Sequence, residues 1–128
     1  MSTSIIVGSS GLVGNNILKQ LCEKNHKVIA ITRKPISSLP LKASELVIDF
    51  ESFLIEGTLP ACDHVFLCLG TTIKIAGNKD NFRRVDFDYS YDIAKKAFDS
   101  GAKKLTLISS GGADSSSKNF YLSVKGEL

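Results

Sequence analysis

Short unbroken apolar runs alternate along this chain with longer stretches in which apolar residues recur every three or four positions. Ile5-Ile6-Val7, Val28-Ile29-Ala30-Ile31-Thr32, Leu46-Val47-Ile48, His64-Val65-Phe66-Leu67-Cys68-Leu69 and Lys104-Leu105-Thr106-Leu107-Ile108 read as strands. Continuous and β-branched, they fit parallel strands covered on both faces. Leu12, Val13, Ile17, Leu18 and Leu21 recur at helical spacing and predict a helix directly after the first strand. A brief helix is expected within 51–59. From about Asp80 to Ser100 a longer helix is predicted, with Phe82, Val85, Tyr89, Ile93 and Ala97 on its core face and Lys95, Lys96 and Asp99 on its polar side. Gly101 supplies its stop. Thr71 to Lys79 reads as a long loop, and Phe120 to Lys125 opens a last helix.

Strands alternating with helices, with no internal repeat, predict an α/β fold: a doubly wound parallel sheet, Rossmann-like, in three α/β/α layers with strand order 3-2-1-4-5. With 128 residues, 43% of them hydrophobic, the chain suffices for one core, so residues 1–128 are expected to form a single domain. A net charge of +3 without a lysine or arginine block gives no stripe for nucleic acid and no polybasic membrane anchor. Arg83-Arg84 reads as solvated helix surface, and His26 as a solvated turn residue. Cys22, Cys62 and Cys68 are odd in number and lack metal-ligand spacing. Reduced core thiols follow, no metal is expected, and with no signal-like or membrane-spanning stretch the reading is a cytoplasmic protein.

The first strand runs into Gly8-Ser9-Ser10-Gly11-Leu12-Val13-Gly14, with glycine at every third position. Such a turn lets backbone approach a ligand closely, and the amides that open the following helix favour an anion such as a pyrophosphate. Gly8, Ser10, Gly11, Leu12, Val13 and Gly14 are the candidate contacts. At the end of the second strand Thr32-Arg33-Lys34 lacks the acidic residue that would hold ribose hydroxyls and offers Arg33 and Lys34 to a 2′-phosphate. NADP(H) is therefore the expected cofactor, with NAD(H) as the alternative. Asp49 and Phe50 are expected to flank the adenine, and Leu69, Gly70 and Thr71 to line the ribose and pyrophosphate side.

Tyr121 and Lys125 are four apart in a predicted helix, which puts a phenol and an ammonium on one face. A tyrosine ionises little at neutral pH unless a neighbouring positive charge stabilises the phenolate. Lys125 supplies that charge. The serine run after the fifth strand reads as an active-site loop. Ser110, or failing that Ser109, would hydrogen-bond a substrate carbonyl oxygen while Tyr121 donates its proton there as hydride arrives from the cofactor. Tyr121 and Lys125 thereby also count as cofactor contacts.

GSSGLVG, FLCLGTTIKIAGNKDNFRRVDFDY and LISSGGADSSSKNFYLSVKGEL together resemble the atypical short-chain dehydrogenase/reductases related to the Tat-interacting protein oxidoreductase, including their bacterial NAD(P)-binding relatives. The resemblance covers nearly the whole chain. It implies an NADPH-binding fold with a Ser-Tyr-Lys site at Ser110 or Ser109, Tyr121 and Lys125. Asp86 stands where many extended relatives carry an asparagine that supports a proton relay, a departure from that pattern. Members normally run on for several dozen residues past Y-x-x-x-K, so the chain is expected to lack the C-terminal substrate-binding segment. Its fifth strand then becomes an incompletely covered edge through which copies could associate. Two functions compete: an oxidoreductase acting on an unknown small carbonyl or alcohol, and a nucleotide-sensing or protein-interaction module with NADPH as a regulatory ligand. No nucleic-acid or membrane partner is expected.

Overall fold

The computed structural model describes residues 3–8, 12–24, 27–33, 43–69, 73–108 and 112–128. Five strands, β1 (Thr3–Val7), β2 (Lys27–Thr32), β3 (Ala43–Val47), β4 (His64–Leu67) and β5 (Lys104–Leu107), form one sheet in the order β3-β2-β1-β4-β5. All four pairings are parallel. The expected topology is the observed one. Central β1 sits with Val7 opposite Ile31 of β2 on one side and Leu67 of β4 on the other.

The unbroken apolar run of β1 is explained by its place: Ile5, Ile6 and Val7 are all fully buried. Alternation sends them to opposite faces. Ile5 and Val7 join Ile31, Val65 and Leu67 beneath α2 (Phe50–Glu56) and α5 (Ser90–Asp99), where Phe50, Phe53, Ile93 and Ala97 meet them. Ile6 joins Val28 and Ala30 beneath α1 (Leu12–Glu23), against Leu18 and Cys22. Each such fully buried side chain contributes about 1.5–3 kcal/mol. β5 closes one side of the described sheet with Leu105 51% exposed. Three strands stop short of their expected ends, since β3 ends at Val47, β4 at Leu67 and β5 at Leu107. The ladder goes one bond further in each case, through Ile48 N to the Thr32 carbonyl at 2.8 Å, Cys68 N to the Val7 carbonyl at 2.8 Å and Ile108 N to the Leu67 carbonyl at 3.1 Å.

The segment after β4 departs most from expectation. The described part of the expected loop, Ile73 onward, includes a short helix, α3 (Ile73–Ala76), and α4 (Lys79–Arg83) follows. Asn78 starts α4 by accepting the Asn81 amide at 2.8 Å on Oδ1. The single expected helix is then interrupted by a π-helical turn, Arg84–Tyr89, before α5. Hydrogen bonding from i to i+5 widens the turn, and the inward positions are the fourth and eighth after Phe82, not the third and seventh as expected. Asp86 and Ser90 are buried where Val85 and Tyr89 were expected, between Phe82 before them and Ile93 and Ala97 after. Val85 and Tyr89 are only half-buried. The last element, α6 (Phe120–Glu127), starts with Asn119 accepting the Leu122 amide at 3.2 Å.

Cys22, Cys62 and Cys68 form no disulfide among the described residues, and burial pushes Cys62 and Cys68 up from the usual thiol range. No helix among the described residues is long and apolar enough to cross a membrane.

Candidate functional site

The crevice beyond the C-terminal ends of β1, β2 and β3 collects most of the described candidates, as parallel topology requires. Gly8 follows β1 with φ +85°, a conformation that side chains disfavour. A Cβ there would lie 2.7 Å from the Cys68 carbonyl oxygen and 2.9 Å from the Leu69 nitrogen. Only glycine lets the first turn close onto the end of β4. Gly14 is buried in the first turn of α1, Val13 is 42% exposed beside it, and Leu69 is half-buried. Ser10, Gly11, Lys34, Gly70, Thr71, Ser109 and Ser110 lie outside the described residues, as do His26 and the Leu12 side chain.

Further along the crevice a cleft of about 450 Å³ is lined by Arg33, Val47, Ile48, Asp49, Phe50, Glu51, Val85 and Tyr89. Three expected cofactor contacts, Arg33, Asp49 and Phe50, thus share one cavity. Asp49 also caps α2, its Oδ1 accepting the Ser52 amide at 3.3 Å. Phe50 is 4% exposed, and the Tyr89 ring stacks on it at 5.0 Å with 11° between planes.

Glu51, Val85 and Tyr89 were not anticipated as part of this cavity. Glu51 accepts from Arg84 Nε at 2.9 Å, Arg84 Nη2 at 2.5 Å and the Tyr89 hydroxyl at 2.7 Å. The Arg84 and then the Tyr89 hydrogen bond hold the Glu51 carboxyl down at about 2. The hydrogen bond to Glu51 holds Arg84 above its ordinary range, and burial, followed by the Glu51 bond, pushes Tyr89 up. Arg84 also reaches Asp88 at 3.3 Å. Arg83 pairs with Glu127 at 2.5 Å and lies over the Phe87 ring at 4.4 Å. The Arg83-Arg84 pair expected as solvated surface therefore fastens two other helices, α2 and α6, to this segment. No local signal announces either bond, because Glu51 is 33 residues and Glu127 44 residues from its arginine.

Tyr121 and Lys125 do share a face of α6, with Lys125 Nζ 5.5 Å from the Tyr121 ring centroid. Phe82 packs on both Phe120 and Tyr121, at 5.9 and 5.4 Å between ring centres. Lys125 is only 6% exposed, and its ammonium donates to Asp86 Oδ1 at 2.5 Å, with Asp86 fully buried. A lysine that reads as a lone cation in sequence is half of a buried ion pair. On the far side of α6, Gly126 runs so close to Asp114 and Ser115 that any Cβ would strike their backbone.

Residues 8–127 match a family described as NAD(P)H-binding. The chain is 40% identical to Protein HTATIP2 of Rattus norvegicus over 96% of its own length and 53% of that protein's. It is 37% identical to Protein FMP52, mitochondrial, of Meyerozyma guilliermondii over 98% of its length and 56% of the relative's. It thus spans little more than half the length of these curated relatives. Among solved structures, a short chain dehydrogenase family protein from Francisella tularensis superposes with a TM-score of 0.74 at 19% identity, covering 99% of this chain and 59% of that one. MoeE5 in complex with UDP-glucose and NAD gives 0.78 at 15%, covering 96% and 45%. These two establish the fold. The relatives also overturn the cytoplasmic reading, since several carry "mitochondrial" in their names. Reduced thiols exclude only an oxidising compartment, and a cellular address is read by a receptor and leaves no trace in a core.

Proposed function

The chain belongs to the NAD(P)H-binding family, and from that premise we propose that it is an NADP(H)-using oxidoreductase domain of the atypical short-chain type, acting on a small carbonyl or alcohol. The residues present fit the cofactor. Gly8 has the positive φ and the missing Cβ that a phosphate turn needs, and the cleft at Arg33, Asp49 and Phe50 has room for a nucleoside. The amides from Gly8 through Ser10, Gly11, Leu12, Val13 and Gly14 would face the pyrophosphate, with Leu69, Gly70 and Thr71 on the ribose side. Arg33 and Lys34 would hold the 2′-phosphate, Arg33 through its forked donors. When bound, NADPH supplies the hydride and is left as NADP⁺.

The chain's own residues handle the proton. Tyr121 donates its phenolic proton to the carbonyl oxygen as the carbonyl carbon becomes an alcohol carbon, and the Lys125 ammonium stabilises the phenolate left behind. Ser110, or Ser109, donates a hydrogen bond to the same oxygen. The observation that carries this reading is the juxtaposition of Tyr121 and Lys125 on one face of α6. Residues 1–128 act in it as the cofactor domain, and self-association through the β5 edge and a mitochondrial address belong to the same proposal.

Oxidation of NADPH against a panel of small aldehydes and ketones tests it. Turnover by the wild type that Tyr121→Phe lowers by about a hundredfold or more supports the assignment. Turnover indifferent to that change removes Tyr121 from the chemistry. Tight NADPH binding with no turnover on any substrate leaves the nucleotide-sensing reading in its place.

A further inference from the structure

The cleft that would take the adenosine end of the cofactor carries an unexpected charge for a phosphate site. Among the described residues, its lining sets two carboxylates, Asp49 and Glu51, against one guanidinium, Arg33. A 2′-phosphate brings about 1.5–2 negative charges at neutral pH. Clefts focus the field of the charges that line them, so a bare Glu51 would select against that phosphate. Protonation offers no relief, because the Glu51 carboxyl is held down at about 2. Asp49 is offset within its own element: its Oδ1 accepts the Ser52 amide at the start of α2, where unpaired amides favour a negative charge.

Glu51 is offset from another element. Arg84 forks onto its carboxylate, Nε to Oε1 at 2.9 Å and Nη2 to Oε2 at 2.5 Å, and the Tyr89 hydroxyl adds a third bond at 2.7 Å. These donors are the first and last residues of the π-helical turn, so the turn closes both its ends on one cleft carboxylate. Arg84 does not line the cleft, and its remaining terminal nitrogen goes to Asp88 at 3.3 Å. As a stabilising ion pair alone the contact is worth little, since the Arg84 and Glu51 side chains are 39% and 55% exposed. We propose that Arg84 is a positioning residue for cofactor choice: by holding and neutralising Glu51 it lets the charge of Arg33 prevail in the cleft, which tilts binding toward NADP(H) over NAD(H). This rests on the cofactor reading of that cleft. It adds that the preference depends on the charge balance between α2 and the π turn as well as on direct contacts to the phosphate.

The test compares the Kd values of NADPH and NADH, by fluorescence titration at neutral pH and low salt, in the wild type, Arg84→Gln, Arg84→Lys, Glu51→Gln and the double variant Glu51→Gln/Arg84→Gln. Arg84→Gln bares the Glu51 carboxylate and is expected to raise the Kd for NADPH by roughly fivefold or more, with NADH within about twofold. Glu51→Gln moves NADPH the opposite way, to a Kd roughly threefold lower, again with NADH little changed. The double variant restores the charge balance and brings NADPH back to within about twofold of the wild type. Arg84→Lys keeps the charge without the fork and stays closer to the wild type than Arg84→Gln does. High salt shrinks all of these differences. A merely structural role for Arg84 would weaken both nucleotides alike and leave the ratio of their Kd values unchanged, which overturns the proposal. So does a double variant as poor for NADPH as Arg84→Gln alone. Should Arg84→Gln not fold, Glu51→Gln decides: a lower Kd for NADPH with NADH unchanged supports the proposal, and an unchanged ratio defeats it. A wild type that binds neither nucleotide defeats the cofactor reading and this proposal together, whereas binding with one ratio across all variants defeats this proposal alone.

Discussion

Glu51 at the start of α2 and Arg84 at the start of the π-helical turn meet in two hydrogen bonds, 2.9 and 2.5 Å long, across a gap of 33 residues. Because this pair holds the Glu51 carboxyl at about 2, well below its ordinary 4.5, the folded protein takes up that proton less readily than the unfolded chain. Its contribution is complete above about pH 4.5 and is lost as pH falls toward 2. His64 acts earlier on the same limb. Burial, then Lys104, lowers it from 6.5, so stability starts to fall as pH drops through that value. Urea midpoints measured from pH 8 to 2 should decline in two phases, with Glu51→Gln shrinking the lower one, to which Asp114 also contributes through its Ser116 hydrogen bonds, and added salt weakening it, since the Glu51–Arg84 pair is exposed.

Gly8→Ala should fail twice over. The residue sits at φ +85°, and its Cβ would be 2.7 Å from the Cys68 carbonyl oxygen. A loss of about 2 kcal/mol or more in urea unfolding is expected, together with loss of NADPH binding in fluorescence titration. Normal stability and normal binding would mean that the turn after β1 does not need the close approach seen here.

Gly126→Ala tests the packing of α6 against the chain that leads into it. The new methyl would land on the backbone of Asp114 and Ser115, so either that segment or the helix must move. About 1–3 kcal/mol should be lost, and carbonyl reduction should fall because Lys125 is the adjacent residue.

Arg33→Ala addresses cofactor choice. Losing one charge-assisted contact to a 2′-phosphate should raise the Kd for NADPH by roughly tenfold or more and leave that for NADH unchanged. Equal affinity for both nucleotides in the wild type would discard the NADP(H) preference.

The fold was largely legible because its signals are local. Ile5-Ile6-Val7 and Val28 to Thr32 carry the unbroken apolar character of doubly covered strands, and alternation with helices then leaves few topologies. That Arg33, Asp49 and Phe50 share one cavity was legible for the same reason, since each follows a strand whose end faces the crevice. Asp86 was seen only as a departure from a family pattern, and its burial was missed because the third and fourth positions after Phe82 both suit an inward face and the apolar one, Val85, was chosen. An aspartate and a serine on an inward face leave no mark in hydrophobic periodicity. Glu51, Arg84 and Tyr89 escaped for another reason: their meeting depends on how α2 and the π turn are brought together by the sheet.

Strand β1 is made first but gains its second neighbour only after β2 and β3 have both been made. Its neighbours are β2, about one helix downstream, and β4, whose preceding Asp63 accepts the Thr3 amide at 2.8 Å from 60 residues away. The turn at Gly8 closes onto Cys68, so the proposed phosphate cradle cannot form on a nascent chain until β4 has left the ribosome. Cofactor supplied during synthesis can therefore act only as a late clamp on an assembled sheet, and the slow, long-range step of pairing β1 with β4 has to be completed by the apolar strands unaided.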